Sequence, residues 1–319
     1  MGRTCLVTGS AGFIGSRLSA RLLEERWSVC GLDAFTDSYD SGEKRARALM
    51  LARHPNYRHV EADLANAGLR ELLESVEVVF HLAGRPGVRD SFRHLPKYRH
   101  DNVQATAHLL DEARASGSPR RIVYASSSSV YGDAARPFRE AAGTRPISPY
   151  GETKLEAERT CLAASGWALE CVALRYFTVY GPGQRPDMSL RRFIEAGIAG
   201  RPIRLYGDGT QSRDFTYVDD AVEATVRAAD APAAGLAVNV ASGEPVALHE
   251  VLDLLAELLG RELLIEREPF AAGDARHTSA DLSRAAALLG FRPAVDLRTG
   301  LSAEIDWLSD QVLTARATA

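Results

Sequence analysis

Three glycines, Gly9, Gly12 and Gly15, follow the apolar run Thr4 to Thr8 and open an amphipathic stretch. Glycine permits a tight turn and close backbone approach, so a pyrophosphate can sit on free amide hydrogens at the positive end of a helix dipole. A glycine triplet alone is weak evidence; its place between a strand and a helix makes it a dinucleotide signal. Asp33 ends the second apolar run, where a carboxylate can accept hydrogen bonds from both hydroxyls of an adenosine ribose. By itself it also reads as a turn or helix cap. No Arg or Lys follows it before Lys44, so a 2′-phosphate would meet uncompensated negative charge and NAD is expected over NADP. Asp63 and Leu64 stand where they could flank an adenine. The Leu82-Ala83-Gly84 turn offers small residues where backbone must pass near a cofactor. Taken singly, each of these is an ordinary strand end.

Tyr150 and Lys154 stand four apart in a segment patterned as a helix, so both project from one face. A neighbouring ammonium and an oxidised nicotinamide would stabilise the phenolate, lower the tyrosine pKa and make Tyr150 a usable base. Such spacing alone is commonly a solvated helical pair. Its position after a glycine-rich turn and a serine cluster, Ser126 to Ser129, makes it specific; the serines alone would read as a polar turn.

The elements that must hold these groups are legible as an alternation. Apolar runs occur at Thr4 to Thr8, Val29 to Asp33, Tyr57 to Glu61, Val76 to Leu82, Ile122 to Ser126 and Leu169 to Leu174, with helical stretches to about Glu25, at Ala105 to Ala115 and at Tyr150 to Ala164. Strands alternating with helices imply right-handed crossovers and a parallel sheet covered on both faces. The expected fold is therefore α/β, a doubly wound Rossmann-type sheet with a smaller mixed C-terminal lobe. The charges Glu152, Lys154, Glu156, Glu158 and Arg159 suggest a partly solvated helix.

After Arg175 the pattern changes. The Gly/Pro-rich stretch Tyr180 to Pro186 and the turn Gly207 to Gly209 suit ligand-covering loops. A helix is expected near Arg191 to Ala199 and a surface connection at Ala228 to Gly235. A strand at Ala237 to Val240 is expected to rejoin the main sheet, with helices near Leu248 to Leu259 and Leu297 to Leu313. The expected division is residues 1–175 plus about 213–241 for the cofactor domain, and about 176–212 plus 242–319 for a substrate lobe.

The chain has 319 residues, 45% hydrophobic and 25% charged, which is ordinary globular usage and fits two lobes. A formal net charge of −4 gives no general attraction to nucleic acid or acidic membranes, so an anionic ligand must be met by a local cluster of Arg or Lys. Cys5, Cys30, Cys161 and Cys171 have no metal-ligand or redox spacing and read as buried small hydrophobes in a reducing compartment. No metal is expected. Neither a signal peptide nor an apolar run of the ~20 residues needed to cross a bilayer is present, so a soluble cytoplasmic protein is expected.

With these residues in place, the chain resembles the extended short-chain dehydrogenase/reductase family of NAD-dependent epimerases and dehydratases from Thr8 to about Ala285. The matching pieces are TGSAGFIG at 8 to 15, GLDAFTDSYD at 31 to 40, HLAG at 81 to 84, ASSSSVYG at 125 to 132, YGETK at 150 to 154, RYFTVYGPGQRPDM at 175 to 188, YGDGTQSRDFTYVDD at 206 to 220 and GDARHTSAD at 273 to 281. The resemblance implies that Ser127 hydrogen-bonds the sugar oxygen being oxidised and that Tyr150 is the base. It gives Lys154 the nicotinamide ribose, and sets Phe13, Ile14 and Tyr176 along the cofactor. It also implies a homodimer.

Two departures narrow the reaction. Dehydratases of the family carry an Asp-Glu pair where this chain has Ser128 and Ser129, so elimination lacks its acid and base. Related UDP-glucuronate decarboxylases carry Glu at the position of Ser129 and Asn at the position of Thr178; neither is here. The 175 to 188 stretch resembles that of UDP-glucuronic acid 4-epimerases, which implies that Thr178 and Arg185 hold a sugar carboxylate. Arg suits this because its planar fork binds a carboxylate bidentately. Arg192 and Arg213 resemble phosphate contacts, Asp274 a uridine-ribose contact, and Arg89 another partner for the anionic substrate. Relatives often read Gly-Pro-Arg-Gln where this chain has Gly183. The expectation is C4 epimerisation of a UDP-sugar, UDP-glucuronate foremost. A neutral UDP-hexose epimerase, a decarboxylase and a non-catalytic NAD-sensing protein are the alternatives.

Overall fold

The computed structural model describes residues 2–270, 273 and 275–318, the last five by backbone alone. The first half alternates as expected: β1 (Thr4–Thr8), α1 (Phe13–Glu24), β2 (Ser28–Asp33), α2 (Ser41–Leu51), β3 (Tyr57–Glu61), α3 (Arg70–Leu73), β4 (Val78–His81). Next come α4 (Val88–Ser91), α5 (Leu95–Tyr98), a π-helical turn at Arg99–Gln104, α6 (Ala105–Ser116), β5 (Arg121–Ser127), α7 (Pro149–Ala163) and β6 (Glu170–Tyr176). The remainder runs β7 (Thr178–Tyr180), α8 (Ser189–Ala199), β8 (Ile203–Tyr206), β9 (Ser212–Tyr217), α9 (Val218–Arg227), β10 (Ala237–Val240), β11 (Pro245–Ala247), α10 (Leu248–Leu259), β12 (Ile265–Glu268) and α11 (Leu297–Thr318).

Seven strands pair in parallel in the order β10-β6-β5-β4-β1-β2-β3. The winding reverses between β1 and β4, the position at which open α/β sheets bind ligands. Strands such as Val78–His81 are buried throughout, as expected where helices cover both faces. One face carries α1 and α9 in a core that continues into the C-terminal residues; the other carries α3, α6 and α7. β10 rejoins the sheet beside β6, as the sequence suggests. The link before it is less superficial than expected, because Ala228, Ala229, Ala231 and Ala233 are buried. The smaller sheets are β11-β9-β7 and β12-β8.

Local chemistry sets the helix that carries the Tyr-Lys pair. Ser148 accepts a hydrogen bond from Gly151 N at 3.1 Å and Pro149 occupies the first turn, a capped start with a pre-set φ. α7 is more deeply packed than its charges suggest, since Lys154 and Glu158 are both buried. They tolerate this because each has a partner inside. Cys5, Cys161 and Cys171 are buried thiols as expected, whereas Cys30 is half-buried.

Candidate active site

A cavity of about 1290 Å3 runs from the glycine turn, past the ends of β2, β4, β5 and β6, to the loop before α8 and the residues around β8. Its cofactor end is built from backbone. Gly9 has φ +70°, and a Cβ there would meet Ala83 N at 2.8 Å; one on Gly15 would meet Gly9 O at 2.1 Å. The turn is thus pressed against the chain after β4. Helix α1 has no side-chain cap and no acid in its first turn. The amides of Phe13, Ile14 and Gly15 therefore keep the unsatisfied donors of a helix start, and these residues line the cavity with Gly12.

Asp33 is buried, with Oδ2 accepting from Ala11 N at 3.1 Å and Oδ1 from Phe35 N at 2.8 Å. It shapes the turn, and each oxygen keeps lone-pair capacity for a ribose hydroxyl. Lys44 also lines the cavity, but its Nζ is held by Thr36 O at 2.8 Å, Thr36 Oγ1 at 3.3 Å and Ser38 Oγ at 3.2 Å. Asp63, Leu64, Leu82, Ala83 and Gly84 line the same end. Asp63 is partly committed to Ala65 N and Asn66 Nδ2.

A buried polar chain stiffens the wall after β4. Burial pushes the His81 imidazole down to about 3, so it is neutral. Thr106 Oγ1 donates to Asn102 O at 2.6 Å, so it accepts from His81 Nε2 at 2.9 Å. His81 Nδ1 is then the acceptor of the Thr8 hydroxyl at 2.8 Å, leaving Thr8 Oγ1 to accept from Ala83 N.

Ser127, Tyr150 and Lys154 meet at the middle of the cavity. Ser127 stands beside the Tyr150 phenol, and its Oγ accepts from Ser129 N at 3.1 Å. Tyr98 packs edge-on against Tyr150 with ring centroids 6.3 Å apart. Burial raises the Tyr150 pKa above its ordinary value, opposed by the neighbouring Ser127 hydroxyl and the Arg185 charge. Lys154 is not among the groups that oppose burial at Tyr150. The ammonium turns instead to the carbonyl of Ala125 and lies 4.5 Å from the Tyr124 ring centroid. Burial brings Lys154 down to about 7, with the Glu158 carboxylate opposing.

The opposite end of the cavity holds a cluster of cations of the kind an anionic ligand would need. Among the described residues Arg85, Arg89, Arg185, Arg192, Arg201, Arg204 and Arg213 all line the cavity, with Thr178. Arg185 is not an open fork, however. Its Nε and Nη2 hold Asp187 Oδ1 and Oδ2 at 2.9 and 3.0 Å. Arg89 lies 4.0 Å over the Tyr206 ring, and Arg213 Nη1 donates to Ser212 O and Arg276 O. Tyr176 lines the cavity with its ring while its hydroxyl is 2.6 Å from Thr225 Oγ1. Asp274 lies outside the described residues. Gly183 has φ +88°, a conformation that strains any L side chain, which accounts for glycine there.

Sequence reasoning missed Arg85, Arg201, Arg204 and Asp187. Asp187 stood in the quoted RYFTVYGPGQRPDM stretch, two residues from Arg185, and that spacing was its signal. It also missed a bridge between α2 and the Gly/Pro-rich loop. Arg47 Nη2 donates to Gly183 O at 2.9 Å, and Arg191 Nη2 holds Glu43 Oε1 at 2.8 Å. Below the loop, the buried Glu304 accepts from Gly181 N at 3.0 Å, while its Oε1 has no partner among the described residues.

The family model for the NAD-dependent epimerase/dehydratase family matches residues 5–241. An uncharacterised UDP-glucose epimerase of Bacillus subtilis is 39% identical over 308 residues, 95% of this chain and 97% of that protein. The UDP-glucuronate 4-epimerase of Thermodesulfobacterium geofontis is 36% identical over 313 residues, 96% of each chain. The crystal structure of a Bacillus cereus UDP-glucuronic acid 4-epimerase with UDP-glucuronic acid and NAD superposes with a TM-score of 0.93 at 35% identity, covering 97% of this chain and 99% of that one. The glycine cradle, the buried Ser127-Tyr150-Lys154 group and these likenesses agree: the chain belongs to the NAD-dependent epimerase/dehydratase family.

Proposed function

We propose that the protein is an NAD-dependent UDP-glucuronate 4-epimerase that forms UDP-galacturonate. The observation that carries this is the placing of Arg185 in the same cavity as Ser127 and Tyr150, close enough for its charge to act on the phenol. The names of the relatives support the same substrate class.

The glycine turn, the uncapped start of α1 and Asp33 fit a dinucleotide, with pyrophosphate on the amides and ribose on the carboxylate. When bound there, NAD accepts the hydride from C4 of the sugar and returns it to the opposite face. Tyr150 takes the proton of the 4-hydroxyl at its phenolic oxygen and gives it back. Ser127 holds the same sugar oxygen by a hydrogen bond. Lys154, turned toward Ala125, meets a nicotinamide ribose hydroxyl in this reading. Thr178 and Arg185 hold the sugar carboxylate, and Arg192 and Arg213 the diphosphate. Oxidation at C4 makes glucuronate a β-keto acid, which loses CO2 when the carboxylate bond stands perpendicular to the ketone plane. A clamp by Thr178 and Arg185 keeps that bond out of alignment.

The substrate lobe in this reading comprises about 176–212 and 242–319, and the cofactor domain 1–175 with about 213–241. The adjacent buried thiols Cys161 and Cys171 suit the cytoplasm, where they stay reduced. No helix among the described residues is long and apolar enough to cross a membrane. A homodimer is the assembly we propose, checked by sedimentation. The deciding experiment is incubation of the purified holoenzyme with UDP-glucuronate and separation of products. UDP-galacturonate is expected; a UDP-pentose with CO2, or no turnover of the acid sugar, would overturn the reading.

A further inference from the structure

Arg185 sits inside the cavity with its side chain 18% exposed, and the carboxylate that fills its fork belongs to the chain itself. The contact is side-on and bidentate, Nε to Oδ1 at 2.9 Å and Nη2 to Oδ2 at 3.0 Å. That is the geometry a uronate carboxylate would itself seek. Asp187 is the more exposed partner at 44%, also lines the cavity, and is joined to Arg185 through a turn closed by Met188 N on Arg185 O at 3.1 Å. The pair is thus local, and one member faces solvent. Exchanging it for another carboxylate replaces one charge-assisted pair by another and leaves the freed Asp187 carboxylate, the more exposed member, to water.

A sugar with a neutral C6 hydroxymethyl group poses the opposite problem. Were Arg185 otherwise unpaired, binding such a sugar would cover a guanidinium with nothing to offset its charge, which is costly in a desolvated site. With Asp187 in place no such penalty arises. We infer that Asp187 is an internal stand-in for the substrate carboxylate. It yields Arg185 to a uronate and keeps it when the sugar is neutral, so the enzyme epimerises UDP-glucose as well as UDP-glucuronate. This rests on the assignment of Arg185 to the sugar carboxylate, and it makes Asp187 a specificity-determining residue.

The test is kcat/KM for UDP-glucuronate and UDP-glucose on the NAD-loaded wild type, Asp187→Asn and Asp187→Glu. Wild type turns over both sugars. Asp187→Asn raises the uronate-to-hexose ratio about tenfold, the size of one charge-assisted hydrogen bond, through a lower KM for the uronate and a lower kcat/KM for the hexose. Asp187→Glu, which restores a carboxylate, brings the ratio back toward wild type. A ratio that stays within about twofold in Asp187→Asn, an equal loss on both sugars, or a wild type inert on UDP-glucose overturns the inference while leaving the glucuronate reading intact. A wild type inert on UDP-glucuronate overturns both.

Discussion

The Ser126 hydroxyl lies 2.5 Å from Glu158 Oε2, tying β5 to α7 one residue from Ser127 and one helical turn beyond Lys154. Glu158 also holds Arg175, Oε1 to Nη2 at 2.6 Å, and Arg175 Nη1 reaches the Tyr131 hydroxyl at 2.9 Å. All of these groups are buried. Glu158→Gln keeps the shape but strands the Arg175 charge, and removing one partner of a buried pair costs about 3 kcal/mol. The carboxylate also supports the Lys154 ammonium, so the lysine pKa should fall further below its ordinary value in the variant. A lower melting temperature and weaker NAD retention are expected. A melting point within about one degree of wild type would remove Glu158 from this role.

Tyr150→Phe removes one hydroxyl from a packed ring and should leave NAD bound. Turnover should fall at least ~10²-fold, the usual contribution of a general base. Product assays beside the absorbance of released nicotinamide separate the two effects. A variant that keeps more than about a tenth of the wild-type rate would show that the base lies elsewhere.

Arg185→Ala should lower UDP-glucuronate turnover by roughly one to two powers of ten, the equivalent of a charge-assisted pair worth about 1.5 to 3 kcal/mol. The neutral sugar should change much less. Loss of the clamp should also release CO2 and a pentose product, which mass spectrometry of the reaction detects. Equal depression of both sugars would make Arg185 a scaffold residue.

Glu304 gives a prediction in pH. Burial raises its carboxyl from 4.5 to about 8. Between those values the native state holds a proton that the unfolded chain has released, so this group's contribution to stability is full below the lower value and is lost as pH rises through the upper one. Lys154, brought down to about 7 by burial, acts in the opposite sense above that pH. The comparison that isolates Glu304 is therefore with Glu304→Gln, which retains an acceptor for Gly181 N. Thermal unfolding at several pH values from 5 to 9 should show the variant gaining on wild type as pH rises. Parallel curves would refute the buried acid.

The sheet was readable where its strands are buried and so largely apolar, as at Thr4–Thr8 and Ala237–Val240, which match to the residue; the edge strand Tyr57–Glu61 also matches although it is more polar and only partly buried. The small sheets were not. Strands such as Thr178–Tyr180 and Pro245–Ala247 are three residues long, too short for a period to emerge. In the site, spacing identified which residues gather but not which atoms they address. Tyr150 and Lys154 share a helix face, yet the lysine answers to Ala125 on a strand 29 residues earlier. Tyr176 lines the cavity, but its hydroxyl is drawn to Thr225, 49 residues on. Such pairings depend on tertiary packing, which no local pattern encodes.

Contacts from α2 reach both the Gly/Pro-rich loop and α8. Arg47 grips Gly183, and Glu43 grips Arg191, from a helix that begins eight residues after Asp33. The loop that carries Arg185 is thus anchored from two sides, by α2 through Arg47 and by α11 through Glu304 on Gly181 N.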